Sequence, residues 1–225
     1  MSAIALFLAV GLVPPAAHST RVIDGWTVHI DRRLLAGPDA VIGTHALRLI
    51  DGQLLVLGAT VAPDRLAILR RVPIWLDRSH GRLTSAQYHP SADWLANNGY
   101  DRRLAKAVHL PSVRHFVAPR TVHHQPCVLL HEIAHAYHDP VLGFGDPRLA
   151  AAHRDFVASG RHRQVLHADG RRTRHYAATN PQEFFAEMTE SYLGRNDFFP
   201  FNGAELKESE PATYALMESI WGPRP

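Results

Sequence analysis

From Pro126 to Pro140 the chain reads PCVLLHEIAHAYHDP, and this segment limits the possible folds more than any other. Pro126 suits a first helical position and Pro140 suits a helix stop, so about 13 residues between them can be helical. On a helix, His131 and His135 lie one turn apart and project from one face, as a tetrahedral ion requires of two of its ligands. Glu132 is rotated aside, where its carboxylate can serve as a general base instead of a ligand. Leu129, Leu130, Ile133, Ala134 and Ala136 are uncharged, as expected of a helix buried around such a site. Any fold for this chain must therefore bring a third donor against one face of an otherwise apolar helix.

Sixteen histidines make accidental spacing a real consideration, since a chain of this composition yields about 0.04 such HExxH matches by chance. The position of the third donor decides more. A metzincin needs glycine and histidine three and six residues beyond His135, where this chain has His138 and Val141, so that class is excluded. Glu183, Glu187 and Glu190 instead share one face of a helix in NPQEFFAEMTES, with Asn180 as N-cap, Pro181 in the first turn and Gly194 as the stop. Two other uses of these acids compete: a capping box for Glu183 and a solvated stripe for Glu187 and Glu190. Against the stripe, Phe184, Phe185, Met188 and Tyr192 bury the other faces, and acids in an apolar neighbourhood call for a cation.

HEIAH at 131 to 135, followed by YAATNPQEFFAE starting 41 residues after His135, resembles the gluzincin metallopeptidases, most closely the catalytic domain of anthrax lethal factor and its relatives. There a tyrosine precedes the ligand glutamate by seven residues and a second acid follows it by four, and Tyr176, Glu183 and Glu187 match. The resemblance spans roughly Pro126 to Leu193 and implies an α+β, zincin-like fold. It implies one zinc ion held by His131, His135 and Glu183, with Glu132 as base. Tyr176 would stand near the attacking water or the oxyanion, and Glu187 would support a ligand histidine from behind.

The rest of the chain is read from pattern. GWTVHIDRRLL alternates like a strand through Trp26, Val28 and Ile30. THALRLIDGQLLVLGATV spaces Leu47, Ile50, Leu54, Leu55 and Leu57 as a helix, and VPIWLDR is a second strand. A short helix follows Pro90 or Ser91, a turn falls at Asn98-Gly99, and a strand runs from Ala107 to Leu110. That last strand is expected at the rim of the cleft, where an extended peptide could pair with it. DPRLAAAHRDFVASG is a helix, a solvated hairpin turns at Asp169-Gly170, and one or two helices close the chain. This divides the chain into a leader at 1–19, an N-terminal α/β lobe at 20–105 and a catalytic half at 106–225.

The leader assignment rests on the apolar run Ala3 to Val13, followed by prolines and a cleavage site near Ala17 or Ser19; export to a periplasmic or extracellular space follows. Eleven apolar residues are short of the roughly 20 needed to span a bilayer, no later segment looks long or apolar enough, and no membrane anchor is expected. Cys127 is the lone cysteine, so no internal disulfide can form, and it is expected to pack as a small hydrophobe. A net charge of +3 with scattered arginines gives little support to nucleic-acid binding. His138 is expected to face the C-terminal helix dipole, and His123 and His124 to lie in a loop.

These features converge on a secreted zinc metalloendopeptidase acting on a peptide or protein substrate. The alternative is a non-catalytic metal-binding or interaction protein in which the same triad staples two helices. Glu132 and Tyr176 argue against the staple, which needs neither.

Overall fold

The computed structural model describes residues 17–224. The apolar run Ala3 to Val13 lies outside the described residues. His18 and Ser19, assigned by sequence to the leader, lie in strand β1 (His18–Ile23). An Asp24-Gly25 turn, both residues at positive φ, joins β1 to β2 (Trp26–Asp31) in a two-residue hairpin that matches the right-handed twist of its strands. Trp26, Val28 and Ile30 alternate into the core and are fully buried.

Helix α1 (Ala40–Thr60) starts earlier than its apolar pattern suggests, and Ala46, Ile50, Leu54 and Leu57 form its inward face. Leu55, expected inside, is 64% exposed, because the true stripe runs through Ala46. Gly43 lets α1 approach the preceding turn, since a Cβ there would stand 2.0 Å from the Leu34 carbonyl oxygen. By length and composition the segment Gly37–Thr60 is apolar enough to cross a membrane, contrary to the sequence expectation that no later segment is.

Next come α2 (Pro63–Leu69), β3 (Ile74–Leu76), β4 (Gln87–Tyr88), α3 (Ala92–Asn97, capped by Ser91) and β5 (Val108–Leu110). The mixed sheet has the order β1-β2-β3-β5-β4, with β2, β3 and β5 parallel and β4 antiparallel on the far edge. The expectation for Ala107 to Leu110 is corrected here: the strand exists but lies inside the sheet, and β4 forms the edge. Residues 87 and 88 carry no long alternating run, so nothing in the sequence marks β4 as a competing strand. The sheet thus takes strands from both sides of residue 105.

Helices α4 (Val113–Phe116) and α5 (Pro119–His124) lead to α6 (Val128–Tyr137), so His123 and His124 end a helix instead of lying in a loop. Pro126 precedes α6, whose N-cap is Cys127. Pro140 does not stop the chain but sits inside a π-helical turn, His138–Leu142, closed by Gly143 N–H donating to the His138 carbonyl at 2.8 Å. The wider turn tolerates a proline ring that an α-helical turn would reject.

α7 (Pro147–Ala158) is capped by Asp146, and the short strands β6 (Val165–Leu166) and β7 (Arg172–Thr173) form the expected Asp-Gly hairpin. α8 (Pro181–Leu193) is capped by Asn180 and ends at Gly194, and α9 (Gly203–Ser209) and α10 (Pro211–Trp221) complete the chain. Phe184, Phe185, Met188 and Tyr192 on α8 are fully buried, each contributing about 1.5–3 kcal/mol of burial free energy. Phe185 stacks on Trp221, whose indole N–H donates to Thr189 Oγ1 at 3.0 Å, fastening the back of α8 to α10. The molecule is a mixed α+β structure in which α6 and α8 pack side by side beneath the β4 edge of the sheet.

Candidate metal centre and active site

α6 and α8 bring His131, His135 and Glu183 together as one of the clusters that could hold a metal ion. His131 Nε2 lies 3.1 Å and His135 Nε2 3.5 Å from Glu183 Oε2. Tetrahedral zinc ligands at their usual bond lengths stand about 3.3 Å apart, so both imidazoles already stand at about the right distance from Glu183. The local reason is the cap. Asn180 Oδ1 accepts the Glu183 backbone N–H at 2.8 Å, the half of a capping box that fixes the start of α8, while the Glu183 side chain reaches across to His131 on α6.

Behind His131 the acids divide their roles in an order the sequence does not reveal. The hydrogen bond from His131 Nδ1 goes to Glu190 Oε1 at 2.7 Å, whereas Glu187 Oε1 is 3.6 Å away. The support expected of Glu187 therefore belongs to Glu190. Both are buried, which excludes the solvated stripe, and Glu187 Oε2 has no hydrogen-bond partner among the described residues. Burial raises both carboxyls above the ordinary range; the Glu190 charge adds to the rise at Glu187, while at Glu190 burial prevails over the lowering by His131. Burial would also raise Glu183, but the two imidazoles prevail and hold it at about 2. For His131, burial favours the neutral ring, but Glu183 and Glu190 outweigh it and lift the pKa well above the ordinary imidazole value.

Glu132 lines the same cleft as His131, and its Oε2 accepts the Tyr88 backbone N–H at 2.7 Å. Edge strand β4 thereby orients the carboxylate, a role that sequence patterning misses because the donor is main chain. Tyr176 opens a short 3-10 turn capped by His175, whose Nδ1 accepts the Ala177 N–H, and its ring centroid lies 6.5 Å from that of His131. Burial, then the Glu183 charge, raise the Tyr176 phenol pKa, so it stays a proton donor at neutral pH. His131, Glu132 and Tyr176 share a cleft of about 380 Å³ whose further walls include Ser85, Asp197 and Phe198.

The other sequence candidates stand apart. Cys127 packs against Gly194 and Leu130, its Sγ accepts the Arg195 N–H at 3.3 Å, and burial pushes the thiol up to about 11. His138 is fully buried between Phe144 and Phe185, and desolvation lowers its pKa to about 4. A neutral imidazole there cannot supply the charge expected at the helix terminus. No known protein family, curated protein or solved structure matches this chain.

Proposed function

We propose that this chain is a zinc-dependent metalloendopeptidase of zincin-like fold, related to the gluzincins, in which His131, His135 and Glu183 hold the metal. The observation that carries the reading is the approach of both imidazoles to Glu183 Oε2, at 3.1 and 3.5 Å, with His131 also lining the cleft that holds Glu132 and Tyr176. Zinc held by these residues would supply a Lewis acid that polarises a carbonyl and lowers the pKa of water toward neutrality. Glu132, held by the Tyr88 N–H, takes the proton from the attacking water and returns it to the leaving amine. The Tyr176 phenol donates to the oxyanion that develops on the substrate carbonyl. Glu190 fixes the His131 tautomer by accepting from Nδ1, so that Nε2 keeps its lone pair for the metal.

Ser85 and Ala86 run into β4 and line the cleft, so an extended peptide would lie along this edge. The apolar run Ala3 to Val13 supports an exported enzyme. A triad serving only as a staple would be closed, whereas here His131 and Glu183 keep side-chain exposures of 13% and 19%. The deciding experiment compares bound zinc with digestion of a peptide library in the parent chain and in Glu132→Gln. Zinc retained with hydrolysis lost supports the reading, and zinc without hydrolysis in the parent chain refutes it.

A further inference from the structure

At the opposite end of β3 from its Pro73 entry, Asp77 is buried to 1% exposure, and among the described residues its carboxylate hydrogen-bonds to three imidazoles. His80 Nδ1 lies 2.8 Å and His109 Nε2 3.0 Å from Asp77 Oδ2, and His18 Nε2 lies 2.6 Å from Oδ1. These side chains come from β1, from the segment after β3 and from β5, and none is more than 8% exposed. His89, directly after β4, adds its Nε2 to His109 Nδ1 at 3.2 Å. Asp77, His80 and His109 each direct a donor atom to within 4.8 Å of the others.

We propose that Asp77, His80 and His109 form a second, structural site for a borderline divalent transition cation such as zinc, with His18 steadying the free carboxylate oxygen. Two imidazoles and a carboxylate are a nitrogen and oxygen donor set that suits such an ion, and all three residues are buried, unlike the half-buried donors on α6 and α8. The two imidazole contacts to Asp77 Oδ2 are hydrogen-bond lengths, and ligands around one ion stand about 3.3 Å apart, so each of these two contacts needs to lengthen by only a few tenths of an ångström. The outer nitrogen of His109 would then donate to His89, the support commonly given to a metal-bound imidazole. The ion would cross-link β1, β3 and β5. Through His89 it would also steady β4, whose Tyr88 N–H orients Glu132. In that last role the inference rests on the peptidase reading, but the metal site itself does not.

The test is the metal content of the full chain, stripped with chelator, reloaded with zinc and dialysed, with circular dichroism confirming the fold of each variant. The parent chain is expected to hold about two equivalents. His80→Asn keeps an N–H near the position of Nδ1 but removes the ring ligand, and should hold about one, as should His109→Ala. His135→Ala should also hold about one, and the double variant His80→Asn/His135→Ala close to none. If the cleft site fails to bind, His135→Ala leaves the content unchanged while His80→Asn still removes an equivalent, so the two readings fail separately. A folded His80→Asn chain with the parent's metal content, or a parent chain holding one equivalent that His135→Ala removes, identifies a hydrogen-bonded cluster only and overturns the inference. So does a parent chain that binds no zinc.

Discussion

Glu190 Oε1 stands 2.7 Å from His131 Nδ1, one α8 turn beyond Glu187, which approaches the same nitrogen only to 3.6 Å. With Nδ1–H held by Glu190, a metal that displaced the Nε2 proton would meet the ring in the tautomer it needs. The acid that supports the ligand from behind is thus separate from the acid that would bind the metal.

Replacing the proposed ligands singly, His131→Ala, His135→Ala or Glu183→Ala, should abolish zinc binding at the cleft. Glu190→Gln should weaken it by roughly 10- to 100-fold, and Glu187→Gln by less. Competition against a chelator of known affinity ranks the variants. A larger loss in Glu187→Gln than in Glu190→Gln contradicts the assignment.

Glu132 makes no contact with the triad donors, so Glu132→Gln should keep zinc and melting temperature while hydrolysis falls by roughly 100- to 10,000-fold. Tyr176→Phe should keep zinc as well and lose about 100- to 1000-fold in turnover, the usual cost of one oxyanion donor. Peptide hydrolysis measured on zinc-replete protein decides both, and undiminished turnover in Glu132→Gln would falsify the mechanism.

Acidification should destabilise the fold through buried histidines. Desolvation lowers His89 and His175 to about 3 and His138 to about 4, against 6.5 for the free side chain. Below pH 6.5 the unfolded chain binds protons that the folded chain refuses. The stability these rings contribute is therefore complete above about pH 6.5 and is lost as the pH falls toward the folded values. Each contributes a slope of about 1.4 kcal/mol per pH unit within that window. Urea titrations from pH 6.5 to 4.5 should show a shallower slope, by about one proton, in His138→Phe; an identical slope rules out His138 as a contributor.

Thr189 accepts the buried Trp221 indole N–H on the back of α8. Thr189→Val keeps the shape but orphans that donor, and should cost about 1–3 kcal/mol without changing zinc content. Chemical denaturation alongside metal analysis tests this. Full stability in the variant would mean that the indole finds another partner.

The two site helices were legible because the sequence marks their function and their limits: HEIAH on one, and Asn180, Pro181 and Gly194 bounding the other. Glu187 and Glu190 could not be ranked, because positions i+4 and i+7 from Glu183 share one face and only the packing of α6 on α8 decides which reaches His131. β4 was invisible because it is two residues long and acts through a backbone N–H. Pro140 was misjudged as a stop because proline reports local sterics, and a π turn relieves them. The Asp77 cluster was unreadable for another reason: His18 lies 59 residues from Asp77 and His109 lies 32 away, so only the strand order assembles them.

That strand order has a practical consequence for anyone dividing the chain. β5 lies between β3 and β4 yet follows both in sequence, so a fragment ending at residue 105 would strip β4 of its neighbour and leave β3 with a bare row of unpaired main-chain groups. Such an edge recruits other chains, and the excised piece should precipitate or self-associate rather than behave as an autonomous lobe. Insertions are better placed at the tip of a turn such as Asp169-Gly170, which leaves both β6 and β7 in the chain to pair.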